Sequence, residues 1–155
     1  MTFQIKPVTI CDTTHLDLLL EADPNIQLIE SYLEHGYLFE AILNDKIVGI
    51  ISLSLTNKTT LEVNNISVHS TYQNQGIGLN LLAFADEFAR EHHCKWLDIF
   101  TGSTSIGQLY LYQKHGFRIV YVDSDYFIRH YSENIYENGI HLQDRIALRK
   151  ELSNI

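Results

Sequence analysis

Few of the 155 residues are of the kinds that announce an unusual class of protein. Cysteine occurs twice, at Cys11 and Cys94, proline twice and tryptophan once. Two thiols so far apart in sequence give no disulfide framework, and a reducing compartment leaves them as thiols; both are read as ordinary buried side chains. No segment approaches the roughly 20 apolar residues of a membrane-spanning helix. The opening MTFQIKPVTICDTTH also lacks the apolar core of a secretory signal. A cytoplasmic protein with no membrane partner is therefore expected. Positive charge is scarce as well: 11 Lys and Arg stand against 19 Asp and Glu, a formal net charge of -8. That balance argues against nucleic acid as a partner, because phosphate backbones call for a basic footprint. An acidic surface instead tolerates a cationic substrate. Repeats, low-complexity tracts and Pro/Gly/Ser-rich linkers are missing too, so residues 1–155, 45% of them hydrophobic, read as one domain.

What is present alternates between two periods. Residues 3–10 read as a strand, after which Asp12 or Thr13 caps a helix carrying Leu16, Leu19 and Leu20. Asp23-Pro24 closes it, since the residue before proline disfavours helical geometry. A second helix with Ile26, Ile29, Tyr32 and Leu33 on one face runs to Gly36. Segments 37–43, 47–55 and 61–68 are rich in β-branched and large apolar residues and are joined by polar turns, which predicts an antiparallel meander. From Ile77 the pattern turns helical, with Leu81, Phe84 or Ala85, and Phe88 on one face and an end near His92. A strand over 96–102, a helix over 105–115 and a strand over 117–122 follow. A connection over 123–139 ends on the turn signal Asn138-Gly139, and 141–152 supplies the last strand.

The chemistry concentrates where the strand ending at Val68 gives way to the helix beginning near Gly76. The intervening STYQNQGIG has two glycines one residue apart, which let the backbone approach a ligand without interference from Cβ. The first turn of a helix carries unpaired N–H groups and partial positive charge, so such a loop makes an anion site without Lys or Arg. Gln73 adds a side-chain donor. A dinucleotide fold would need a third glycine where Leu81 stands, and a nucleotide-hydrolase loop would need Gly-Lys followed by Ser or Thr; neither is present. An ordinary helix entry remains the alternative.

A second motif, Tyr112-Gln113-Lys114-His115-Gly116-Phe117, sets an aromatic hydroxyl near the end of a helix that stops at Gly116. Gln-x-x-Gly-x-Gly followed some forty residues later by Tyr-x-Lys-x-Gly-Phe resembles the GNAT N-acetyltransferase superfamily. The order of elements agrees over nearly the whole chain, and the specific part is residues 61–122. The resemblance implies an α/β (α+β) fold, a mixed and mostly antiparallel sheet of about seven strands flanked by about four helices.

It also implies acetyl-CoA as cofactor, with its pantetheine arm entering between strands 61–68 and 96–101. On that basis Ile66 and Val68 supply main-chain groups, the Val68 amide polarises the thioester carbonyl, and Gln73, Gln75, Gly76, Gly78 and Leu79 match the pyrophosphate-binding positions. Tyr112 matches the tyrosine that protonates the departing sulfur. Two positions depart from the pattern. Asn64 stands where many relatives carry a Glu base, which leaves Glu62, two residues earlier on the same strand face, to act directly, through water, or not at all. Ser105 stands where an Asn usually bonds the pantetheine.

Tyr110, two residues from Tyr112, reads as packing, and His115 as a helix C-terminal cation or surface residue. His92-His93-Cys94 is not read as a metal site, because adjacent residues rarely converge on one ion. The acceptor, a small-molecule or peptide amine, is expected between residues 12–36 and 123–141. The latter hold Asp123, Asp125, Tyr126, Tyr131, Glu133 and Tyr136. The alternative function is a noncatalytic acyl-CoA-binding module that senses the cofactor or binds a partner. Exposed apolar residues in the last strands make a homodimer an open expectation.

Overall fold

The computed structural model describes residues 2–152. Strand β1 (Phe3–Pro7) is followed by helix α1 (Thr13–Ala22), which starts where the Asp12 side chain accepts from the Thr14 and His15 amides. The Asp12 N–H donates in turn to His15 Nδ1, so two orphan donors are satisfied reciprocally. Asn25 caps helix α2 (Ile26–Glu34) without that reciprocity: its side chain accepts from the Gln27 and Leu28 amides, while its own N–H donates to Asp23 Oδ1. Strands β2 (Tyr37–Leu43), β3 (Lys46–Asn57) and β4 (Thr60–Val68) form the expected meander. A single 3-10 turn at Ser70–Tyr72 leads to helix α3 (Ile77–Glu91), strand β5 (Trp96–Gly102), helix α4 (Ile106–Lys114) and strand β6 (Arg118–Asp123). The chain continues through helix α5 (Tyr126–His130), the hairpin of β7 (Ile135–Glu137) and β8 (Ile140–Leu142), and strand β9 (Arg145–Glu151).

Seven strands form one sheet in the order β1-β2-β3-β4-β5-β9-β6, in which only β4 and β5 run parallel. Leu18 and Leu19 of α1 and Ile29 of α2 pack with Ile50 against one part of the sheet. Ile77, Leu81, Leu82, Ala85 and Phe88 of α3 bury their apolar stripe with Tyr112 of α4 in the larger cluster. The 3.6-residue period of α3 and the period of two in the strands both find the partners they require.

Several boundaries differ from the sequence reading. The first strand ends at Pro7 rather than residue 10, because the chain turns toward the Asp12 cap. The connection over 123–139 contains α5 and β7, giving five described helices rather than about four. The last strand is divided: β8 pairs with β7 in a separate ribbon, and only from Arg145 does the chain join the main sheet. Asp144 makes the break, its carboxylate accepting from the Asp125 amide (2.8 Å) and its carbonyl from the Ser103 amide (2.9 Å). Cys94 is buried as expected, but Cys11 is exposed, since its loop lies outside both clusters. No described helix is long and apolar enough to cross a membrane.

An ion cluster links α3, α4 and β9. Asp86 Oδ2 accepts from Lys150 Nζ at 2.6 Å and lies 3.3 Å from His115 Nε2, which is not aligned for a hydrogen bond. His115, read as a surface or helix-end cation, is instead half-buried, and its pKa is lowered chiefly by burial and then by the Lys150 ammonium. The folded-state pKa thus lies below the unfolded one, so the unfolded chain takes up the proton first. Stability should fall as pH drops below about 6.5, the ordinary histidine value. His115→Gln should lose that component, and thermal melts of both proteins between neutral and mildly acid pH check it. Equal acid sensitivity would show that His115 contributes nothing to it.

Candidate active site

Two strands that start together and then separate open the site. β4 pairs with β5 only from Thr60↔Trp96 to Val63↔Ile99. Beyond that point β4 stays on β3 as far as Val68↔Gly49, while β5 stays on β9 as far as Gly102↔Arg145. The His69 amide donates to Val48 O on β3 at 2.8 Å. Successive strand amides alternate in direction, so the N–H groups of Val68 and Ile66 point away from β3, into the gap. The Val68 carbonyl shares that side and accepts from Gln73 Nε2 at 3.0 Å.

At the end of the gap stands the N-terminus of α3. Gly76 caps it with φ +85°, left-handed geometry that a side chain would strain, and open space lies where its Cβ would project. The first helical bond runs from Asn80 N–H to Gly76 O at 3.0 Å. Among the described residues no group accepts from the Ile77, Gly78 or Leu79 amides, and the first turn carries no acidic residue. Three donors and the positive end of a 15-residue helix are thus free to receive an anion. Gln75 and Leu79 are exposed beside them, and Gln73, one amide hydrogen already given to Val68, borders the same turn.

A cavity of about 410 Å³ continues from the gap, walled by the end of α1, by β4 and β5, by Ser105 and Tyr112, and by the α5 to β9 segment. Tyr112 is 5% exposed, and its hydroxyl makes no hydrogen bond among the described residues. Burial lifts its pKa above the ordinary tyrosine value, so the hydroxyl keeps its proton. Tyr110, expected to pack, is 65% exposed with Lys114 Nζ 5.6 Å from its ring. Helical geometry turns residues two apart to different faces, and Tyr112 took the inner one.

β4 is irregular where the sequence departs from the family pattern. Ser52 pairs with Asn65 and Leu53 with Val63, which leaves Asn64 as the extra residue of a β-bulge. Asn64 Nδ2 donates to Glu62 Oε2 at 3.0 Å. Asn64 lines the cavity and Glu62 does not. Burial raises the Glu62 pKa, against the opposing effects of the Asn64 hydrogen bond and of Arg145. Ser105 Oγ donates to Glu137 Oε1 at 2.6 Å and so has no hydrogen left for a ligand. Tyr126, Tyr131 and Tyr136 line the cavity as the acidic and aromatic segment suggested, but Asp123, Asp125 and Glu133 do not. Asp123 is engaged by Arg129 and Arg145. The carboxylates at the wall are Glu21, Asp23 and Glu137, opposed by Arg145. Glu137 and Arg145 escaped the sequence reading, although Glu137 immediately precedes the Asn138-Gly139 turn that it singled out.

Residues 9–117 match the model of the Acetyltransferase (GNAT) family. The chain belongs to that family. This acetyltransferase is 43% identical over 136 residues, 88% of either chain, to the uncharacterized N-acetyltransferase YvbK of Bacillus subtilis (strain 168). It superimposes with a TM-score of 0.93 on the crystal structure of a GNAT family acetyltransferase from Elizabethkingia anophelis with acetyl-CoA bound. The two are 44% identical, and the match covers 97% of this chain and 98% of that one. A Bacillus subtilis acetyltransferase in complex with CoA gives 0.94 at 39% identity, covering 98% and 100%. The GNAT fold implied by the two motifs is the fold found. Acetyl transfer with acetyl-CoA as co-substrate, rather than binding alone, is the enzyme's activity.

Proposed function

We propose that the acetyltransferase moves the acetyl group of acetyl-CoA to a primary amine by direct attack within a ternary complex. The free amides at residues 77–79 hold the pyrophosphate, with Gln73, Gln75, Gly76 and Gly78 shaping the loop, and Ile66 and Val68 pair with the pantetheine across the parted strands. The donor supplies a thioester. Val68 N–H, directed into the gap, stabilises the negative charge that grows on the acyl oxygen. Tyr112, kept protonated by burial, gives its proton to the departing sulfur. The amine must first shed a proton, and Glu62, made more basic by burial, receives it through water because Asn64 stands between it and the cavity.

The observation that carries this reading is Tyr112, its hydroxyl without a partner among the described residues, lining the cavity into which β4 and β5 part. A panel of primary amines assayed for thiol release from acetyl-CoA tests it. Release should rise with amine and saturate. Coenzyme binding without amine-dependent release would favour the sensor instead. We place this single-domain enzyme in the cytoplasm, with no membrane or nucleic acid partner, in keeping with its charge of -8. Ile119, Val120, Tyr121 and Val122, about half exposed on the edge strand β6, support pairing of two copies, which sedimentation equilibrium would read.

A further inference from the structure

Arg145, at the start of β9, is a cation in the cavity wall that is firmly held and hardly hydrogen-bonded. Its guanidinium carbon lies 4.0 Å from the centroid of the Phe100 ring and 3.9 Å from that of Tyr126, and both rings line the same cavity. The rings attract the charge and fix the group in place, but its N–H donors still call for acceptors. Of those donors only Nη2 has one, Asp123 Oδ2 at 3.5 Å, the long limit of such a bond. Asp123 is held more closely by Arg129, at 2.7 Å. One carboxylate is thus shared by two guanidiniums, and a net positive charge remains. Nε is enclosed; Nη1, without a partner among the described residues, is not enclosed and is open to a ligand.

Strand pairing places this charge on the side away from α3. Phe100 lies opposite Ala147 and Gly102 opposite Arg145, so the period of two puts Asp98, Phe100 and Arg145 on one face of the sheet. Glu62, opposite Asp98, shares that face. Leu97 and Ile99, of the other parity, pack in the cluster that holds α3. The phosphates proposed for the α3 entrance therefore lie across the sheet from Arg145 and are not its partner.

The rest of the wall narrows the choice of ligand. Glu21, Asp23 and Glu137 also line the cavity, and they oppose an acceptor that carries only negative charge, such as a phosphate ester. An amine with no anionic group would leave the guanidinium without an acceptor. A zwitterion answers to both: its ammonium is drawn by the wall carboxylates, and its own carboxylate accepts charge-assisted bonds from the guanidinium.

Resting on the acetyl-transfer reading, we propose that Arg145 binds the carboxylate of the acceptor, so that the enzyme acetylates a small amine of the amino-acid type. Arg145 sets specificity and takes no part in proton transfer.

The test is a panel of L-amino acids, β-alanine and 4-aminobutanoate, each assayed for thiol release from acetyl-CoA beside its carboxamide and its decarboxylated amine. For the best acceptor, kcat/KM should exceed that of its two uncharged-end counterparts by about ten- to a hundred-fold, the usual effect of a hydrogen bond to a charged group. Arg145→Met keeps an unbranched stem between the rings and should bring each set within about two-fold, the loss falling on KM. Arg145→Lys keeps the charge without the planar fork and should retain a smaller, more salt-sensitive preference; it carries the comparison if the methionine variant does not fold. Equal use of the carboxylated and uncharged-end acceptors by the wild-type enzyme, or full preference in either variant, would overturn the assignment while leaving acetyl transfer intact. Absence of release with every amine of the panel would overturn both.

Discussion

Tyr112→Phe is expected to lower kcat by on the order of a hundred-fold or more, the usual contribution of a positioned acid, while the Kd for acetyl-CoA changes by less than about two-fold. The split follows from the geometry. The ring is buried in the main cluster beside Phe117, at 6.1 Å between centroids, and phenylalanine keeps that packing. Among the described residues the hydroxyl has no partner to lose, so stability should hold or rise slightly. Because burial raises the Tyr112 pKa, the acid stays protonated through the working range, and wild-type turnover should show no alkaline decline from this group. Steady-state kinetics beside coenzyme titration decide the matter. Undiminished kcat would remove Tyr112 from proton transfer.

Gly78→Asp should do the reverse, weakening acetyl-CoA while strengthening the fold. A Cβ at Gly78 would meet Leu111 Cδ2 at 3.8 Å and Val68 Cγ2 at 4.0 Å, ordinary contact distances. Replacing glycine inside a helix and adding negative charge to its first turn each stabilise, together by about 1 kcal/mol. With the pyrophosphate held as proposed, the same carboxylate would face it. A unit charge roughly 5 Å away at an effective dielectric near 20 costs about 3 kcal/mol, on the order of a hundred-fold in Kd. Raised salt should recover part of the loss. A variant with a higher melting temperature and unaltered coenzyme affinity would contradict the placement of the pyrophosphate at this helix entrance.

The sequence was informative where the chemistry is local. A helix entry with two glycines, a Tyr followed by a Gly stop, and the switch from period two to 3.6 each involve residues within a few positions of one another. The same locality explains the errors. Nothing in LEVNNISV distinguishes a regular strand from one bulged at Asn64, because the bulge is set by its pairing with Ser52 and Leu53. Glu62 therefore read as sharing the strand face of Asn64, able to act directly, through water or not at all, and Asn65 went unremarked. Tyr110 and Tyr112 are alike as residues, and only the packing of α4 buries one and exposes the other. Cys11 belongs to a type usually buried, but its loop has nothing above it.

The sequence by itself determined the order of elements, the family motifs and the glycine-opened entrance of α3, since all three follow from short-range patterns of side chains and backbone freedom. Only the tertiary structure decided where β4 and β5 part. Beyond Val63↔Ile99 β4 keeps its pairing with β3 while β5 keeps its pairing with β9, which comes from a distant part of the chain. It also decided which carboxylate meets Ser105, for Glu137 stands 32 residues away in the chain. Such contacts are made by segments whose approach no local pattern encodes; they exist once the sheet has closed.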